Sequence, residues 1–327
     1  NRRTGWIGVA AVLVVAAQAW AAGAFEVKAN DVWVMAGDSI TAQRLHSNYI
    51  EAFFRTRMPD AGLKFRNSGI GGNRTGHVLG RFEYDVAAFK PTIVSVELGM
   101  NDVGAGDDPQ AYVDGMRRIV EKIRAIKATP LLISSSPVND GSVMDQWMSD
   151  RCRRIHPYTE ALKKLGEELN VTVVDQYHPL LGLWGRNRPA EELLAIAARV
   201  EHLTRDPNLP GVAELKAFAK VWQESGYKPV VLGGDPVHPG PVGQYTMAAT
   251  ILSALNVDRE VSAATLKADG TVAAQERCKI TDVSVKEGVL AFTRLDERRP
   301  WPIALHARDC LRLMPEMADL SRYMLTV

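Results

Sequence analysis

Short apolar runs recur along the first half of the chain at Val32–Ala36, Leu63–Arg66, Ile93–Leu98, Leu131–Ser134 and Val171–Val174, and their length and β-branched content read as strands. Amphipathic stretches separate most of them. Between the third and fourth runs, Tyr112, Met116, Ile119, Ile123 and Ile126 fall at helical spacing, with Arg and Lys on the other face. The stretch "YTEALKKLGEELN" repeats the theme before the fifth run. Strands alternating with helices require crossover connections, which predicts a mainly parallel sheet covered on both faces, a three-layer α/β/α sandwich. Ligands of such sheets bind beyond the carboxyl ends of the strands.

After Tyr177 the strand pattern stops. Residues about 178–227, containing "LLGLWGRNRP" and "AELKAFAKVWQESG", read as a helical insertion over one end of the sheet. Beyond the helix "PVGQYTMAATILSALNV" the period changes, and "CKITDVSVKEGVLAFTRLDE" alternates like two strands joined at Glu287-Gly288. A boundary near Asp258 therefore divides a sandwich over residues 25–257 from a small β-rich C-terminal segment, 258–327. The final "SRYMLTV" reads as a strand with no turn or tail after it, the expectation being a C-terminal module cut short.

The amino-terminal end has its own pattern. Arg2 and Arg3 precede an uncharged run from Thr4 to Phe25, and Ala22-Gly23-Ala24 suits a small-residue cleavage site. Residues 1–24 thus read as a secretory signal peptide, with export to the periplasm or the extracellular space. The rival reading is an uncleaved membrane anchor, since about 20 uncharged residues just suffice to span a bilayer. The chain starts at Asn1 rather than Met, which leads to the expectation that the natural start lies upstream.

Charge adds an exclusion. Lys and Arg number 39 against 38 Asp and Glu in 327 residues, so no global field favours nucleic acid or an anionic membrane as partner. A small or neutral partner fits better. The three cysteines, Cys152, Cys278 and Cys310, are too few for a disulfide scaffold and match no zinc pattern; Cys278 and Cys310 read either as a bridge or as isolated core thiols.

Four short patterns fall at strand ends or just before a helix: Gly37-Asp38-Ser39, "NSGIGGNRT" from Asn67 to Thr75, "GMND" from Gly99 to Asp102, and "DPVHPG" from Asp235 to Gly240. Each alone has an ordinary reading as turn chemistry or a helix start. Their conjunction at one predicted sheet edge does not. Serine needs a base to become a nucleophile, usually an imidazole oriented by a carboxylate, and Asp235 with His238 supplies both on one short loop, the spacing allowing the carboxylate to accept from Nδ1 and leave Nε2 for Ser39. Acyl transfer also needs donors for a developing oxyanion, for which the backbone N–H groups of Ser39 and Gly72 and the side-chain amide of Asn101 are the candidates.

These residues resemble the SGNH hydrolases, also called GDSL esterases and lipases, over about Asp31 to Val257. The resemblance implies a flavodoxin-like three-layer α/β/α fold, Ser39 as nucleophile, Gly72 and Asn101 as oxyanion donors, and Asp235 with His238 as the remaining pair. Many members have Asp after the oxyanion glycine. This chain has Asn73 followed by Arg74, and with Asp38 these form the expected substrate-binding positions. The absence of Gly-x-Ser-x-Gly argues against an ordinary α/β-hydrolase. The implied activity is an exported serine esterase acting on a small ester or acylated carbohydrate, most simply an acetyl group, without cofactor or catalytic metal. A lipase or arylesterase, and a carbohydrate-binding module on an incidental hydrolase fold, are the alternatives.

Of the other histidines, His46 and His77 read as helix-surface or core residues, and His156, His178, His202 and His306 show no metal-ligand spacing. Trp184 and Trp222, with Arg186 and Arg188, read as helix packing and a solvated charged face more readily than as a sugar-stacking wall.

Overall fold

A computed structural model describes residues 25–138, 150–225, 232, 234–235 and 237–327; the expected signal peptide lies outside the described residues. Five strands, β1 (Val32–Gly37), β2 (Lys64–Gly69), β3 (Ile93–Glu97), β4 (Thr129–Ile133) and β5 (Thr172–Val174), form one sheet in the order β2-β1-β3-β4-β5. All four pairings are parallel. The expected α/β/α sandwich is present. Strand β2 runs three residues further than its apolar content implies, because Asn67, Ser68 and Gly69 stay in register with Met35, Ala36 and Gly37 of β1.

The two-residue period of the strands divides the core. Trp33, Met35, Ile93, Leu131, Ile133 and Val174 point to one face, Val34, Ala36, Val94, Val96, Leu132 and Val173 to the other. On the first face lie α2 (Leu45–Arg57) and α9 (Pro241–Ala254), through Ile50, Phe53, Tyr245 and Leu252. On the second lie α3 (Thr75–Asp85), α5 (Pro109–Ala125) and α6 (Asp150–Leu169), through Val78, Phe82, Met116, Ile119 and Leu162. Two short helices, α1 (Ser39–Ala42) and α4 (Met100–Ala105), follow β1 and β3 directly. Strand order reverses at β1, with β2 on one side and β3 on the other, so the loops after β1 and β3 open a crevice between them at the carboxyl edge.

Residues between β5 and α9 form α7 (Tyr177–Leu203) and α8 (Val212–Glu224). The first turns of α7 enter the core through Leu180, Leu183 and Trp184, which removes Trp184 from any sugar-stacking wall, while Leu193, Leu194 and Ile196 are exposed. Arg186 is tied to Glu316 at 2.8 Å and to the Leu313 carbonyl at 2.9 Å, so it braces the end of the chain.

Beyond α9, β6 (Glu260–Leu266) pairs antiparallel with β7 (Val272–Glu276) and parallel with β10 (Arg322–Thr326); β8 (Cys278–Lys286) and β9 (Val289–Asp296) make a hairpin. The hairpin turn is the Glu287-Gly288 pair, both at positive φ (50° and 78°), the primed geometry whose twist matches two antiparallel strands. Strands β6 and β7, which carry little alternation, were not legible in the sequence. The short helix α10 (Cys310–Leu313) follows, and Cys278 and Cys310 are separate buried thiols. Trp301, after β9, stacks on Tyr245 of α9 with ring centres 4.2 Å apart and donates its indole N–H to the Tyr49 carbonyl at 2.8 Å. Arg57 of α2 donates to the carbonyls of Arg299 and Leu320. The stretch from Arg299 to Ser321 is thereby part of the first-face core. Truncating Trp301 to Ala is expected to lower the unfolding free energy by about 3–5 kcal/mol in urea denaturation. A loss below about 1 kcal/mol would show that this segment adds nothing to the core.

Candidate active site

The site begins where β1 ends. A β-carbon on Gly37 would overlap the Thr41 hydroxyl and approach the Glu97 carbonyl to 2.8 Å, so only glycine lets the chain turn there. Asp38 caps α1, its carboxylate accepting from the Ile40 N–H at 2.9 Å, and Ser39 becomes the first helical residue, partly exposed at the crevice.

His238 and Asp235 reach Ser39 from the loop before α9. His238 Nε2 lies 2.7 Å from Ser39 Oγ and His238 Nδ1 2.8 Å from Asp235 Oδ2. Because the carboxylate can only accept, Nδ1 carries the proton and Nε2 is left to accept from the serine hydroxyl. The other oxygen of Asp235 accepts from the backbone N–H groups of Val237 and His238, each at 2.8 Å. Slight burial acts upward on this carboxyl, but the hydrogen bonds from His238 and Val237 outweigh it and hold its pKa below the usual range. The three residues expected to act together are within hydrogen-bond reach.

The loop after β2 runs beside them. A β-carbon on Gly71 would sit 3.9 Å from Ser39 Cβ, and Gly72 adopts a φ of 74° with open space above it, the backbone a glycine takes without strain. Asn101, on α4, directs its amide to the Asp38 carboxylate (3.2 Å) and the Asn73 carbonyl (3.1 Å), bridging the nucleophile turn and the Gly72 loop. Asp102, also on α4, ties that helix to the end of the Gly72 loop, accepting from the Thr75 N–H and hydroxyl at 3.1 and 3.0 Å.

Two expected substrate-binding residues face inward instead. Asp38 is 1% exposed and spent on the cap and Asn101; Asn73 is buried, its side-chain oxygen accepting from Arg81 Nε at 2.7 Å. Arg74 is part-exposed, paired with Asp107 at 3.2 Å. Arg81, which the sequence offered no reason to choose, joins three strand-end groups: besides Asn73 it donates to the carbonyls of Gly37 (3.2 Å) and Ser68 (2.8 Å).

Residues 35–245 match the GDSL-like lipase/acylhydrolase family. The chain belongs to this family. Among curated proteins, an acetylxylan esterase from Geobacillus stearothermophilus is 26% identical over 133 residues, 39% of this chain and 60% of that esterase's length. The crystal structure of an acetylxylan esterase from the same organism superimposes with a TM-score of 0.51 at 19% identity, covering 72% of this chain and 98% of that one. A gut microbial diltiazem-metabolizing enzyme superimposes with a TM-score of 0.65 at 19% identity over 91% of this chain and 66% of its own. At these identities the two structures speak to the fold alone.

Beneath the nucleophile turn this acylhydrolase buries three titratable groups. Gln244 of α9 accepts at Oε1 from His46 Nδ1 (2.7 Å) and donates at Nε2 to Gln43 (2.7 Å), so its orientation places the His46 proton on Nδ1. The bare Nε2 then faces Glu97 Oε2 at 3.4 Å, an arrangement that suits a protonated Glu97, which also accepts from Thr41 at 3.1 Å. Burial pushes Glu97 up to about 8 and, with the nearby Glu97, pushes Asp38 up to about 7; burial pushes His46 down to about 4. The raised carboxyls of Glu97 and Asp38 stabilise the fold fully below their ordinary values of 4.5 and 3.8, and that stabilisation is lost as pH rises through about 8 and about 7, respectively. His46 acts in the opposite sense, its contribution present above 6.5 and lost as pH falls through about 4.

Glu97→Gln removes the titration and keeps a donor toward His46, with the Thr41 hydroxyl turning to accept from the amide. Its urea midpoint is expected to fall less than that of the wild type between about pH 5 and pH 9. Parallel curves for the two proteins would show that Glu97 is already ionised at neutral pH.

Proposed function

We propose that this esterase removes acetyl groups from carbohydrates through an acyl-enzyme on Ser39, and that it acts outside the cytoplasm. The observation that carries the mechanism is the continuous hydrogen-bond path Asp235–His238–Ser39. As Ser39 Oγ bonds to the acyl carbon, its proton passes to His238 Nε2, and Asp235 stabilises the imidazolium without taking the proton. The N–H groups of Ser39 and Gly72 and the amide of Asn101 receive the oxyanion, Asn101 exchanging its contact with Asp38 for one to substrate. His238 then protonates the departing alkoxide as the C–O bond breaks. Water, deprotonated by the same imidazole, attacks the acyl carbon and releases acetate and the free serine.

Similarity to acetylxylan esterase supports the carbohydrate reading. So does the openness around the pair: the side chains of His238 and Asp235 are 26% and 58% exposed, room for a bulky alcohol such as a glycan beside a small acyl group. The Arg2-Arg3 start and the uncharged run to Phe25 support export.

Acetate release from acetylated polysaccharides and from p-nitrophenyl esters of increasing chain length tests the reading. Acetyl esters are expected to turn over fastest, and Ser39→Ala to abolish release. Preference for long acyl chains would replace it with a lipase-type activity, and glycan binding without any turnover would favour a binding module. Asn101→Ala is expected to lower kcat by about 100- to 1000-fold with KM little changed. A loss of only a few-fold would remove Asn101 from the oxyanion site.

A further inference from the structure

A second cluster of chemistry-bearing side chains lies at the same carboxyl edge, beyond β4 and β5 rather than β1 and β3. His156 and Glu160 stand one turn apart on α6, and His178 is the second residue of α7. One ligating atom from each of the three lies within 4.8 Å of the others, and His156 Nε2 is 3.9 Å from Glu160 Oε1. The two imidazoles meet edge to face, with ring centres 5.6 Å apart.

His178 is already oriented. Its Nδ1 donates to Asp175 Oδ2 at 2.6 Å and its backbone N–H to Asp175 Oδ1 at 3.1 Å, which leaves Nε2 as a free lone pair. A carboxylate behind the far nitrogen is the arrangement that fixes tautomer and ring direction in metal-ligating histidines. Lys163 donates to the same Asp175 oxygen, Oδ2, at 2.7 Å and to Glu160 Oε1 at 2.9 Å.

We propose that His156, Glu160 and His178 bind a divalent transition-metal ion of the zinc class, with Asp175 orienting His178, and that the ion ties α6 to the root of α7. Two imidazole nitrogens and one carboxylate oxygen suit zinc and its neighbours, whereas magnesium and calcium prefer all-oxygen sites. Bonds of about 2.0–2.2 Å require the ligand atoms to draw together by roughly an ångström, a small rotation for half-exposed side chains. Lys163 opposes the ion electrostatically and bonds Glu160 Oε1, the oxygen 3.9 Å from His156, so Glu160 gives up that contact or turns its other oxygen inward on ligation, and the negative charges of Glu160 and Asp175 offset both cations. A water completes the coordination. The ion has no part in the Ser39 chemistry.

The test is titration of chelator-treated full-length protein with zinc chloride, followed by calorimetry and by thermal unfolding. His238→Ala is included as a control, since any accessible imidazole can bind zinc. Wild type and His238→Ala are expected to bind one zinc with equal affinity and to gain melting temperature. His156→Ala and His178→Ala are expected to bind at least tenfold more weakly, and Asp175→Asn about tenfold more weakly. Zinc-free wild type and His156→Ala are expected to hydrolyse p-nitrophenyl acetate alike. Undiminished binding in both His156→Ala and His178→Ala overturns the proposal, as does binding lost only in His238→Ala or the absence of stoichiometric binding by wild type. His156→Gln, which keeps bulk and helix propensity, separates loss of a ligand from loss of fold, and circular dichroism of each variant verifies the latter.

Discussion

The site depends on the absence of a side chain at Gly37. With no β-carbon there, the end of β1 lies against the Thr41 hydroxyl and the Glu97 carbonyl, and the chain turns at once into α1. That tight turn has two consequences. Asp38 is driven inward to cap the helix it starts, and Ser39 is held at the crevice between β1 and β3. The neighbouring elements are built around the same turn: Arg81 bonds the Gly37 carbonyl from α3, Asn101 bonds Asp38 from α4, and Thr41 bonds Glu97 of β3.

Two carboxylates, Asp38 and Asp235, show how environment divides the work. Asp235 is exposed, accepts three hydrogen bonds and keeps its charge, which is what an imidazolium formed at His238 requires. Asp38 is buried beside another acid and is pushed toward neutrality. Its usefulness is geometric, as a two-sided acceptor for Ile40 and Asn101. Had the positions of these environments been exchanged, the base would lose its counter-charge and the turn would carry an unscreened one.

Much of this was legible from residue types and spacing. The alternation of apolar runs with amphipathic stretches encodes a parallel sheet, because the central strands are buried on both faces and the amphipathic helices that cover them on one. The Ser39, Gly72, Asn101 and Asp235–His238 motifs each contain residues whose local chemistry is distinctive, and the carboxyl-edge rule brings them together. What sequence could not carry were contacts between distant elements. His46, Glu97 and Gln244 come from α2, β3 and α9, and nothing in the local setting of any one of them points to the other two. Arg81 is an ordinary charge on a helix until three oxygens are placed around it. The pair His156 and Glu160 has helical spacing, but the third group, His178, belongs to another helix, so no linear motif records it. Asp38 and Asn73 were misplaced on the substrate side for the same reason: a polar residue beside a nucleophile looks equally able to face in or out until its partners are known.

The tail of the chain reaches the catalytic loop through α9. Pro241 opens that helix three residues after His238, so the position of the imidazole follows the position of the helix. The helix is buried almost throughout and is held from two sides, by Gln244 against His46 and Gln43 beneath the nucleophile turn and by Tyr245 against Trp301 and Tyr49. Trp301 belongs to the segment between β9 and β10, far along the chain from every catalytic motif. A rigid, fully packed helix transmits displacement rather than absorbing it. The C-terminal segment therefore packs directly on the helix that begins three residues after His238, and the α/β/α sandwich and the strands that follow it meet along that helix.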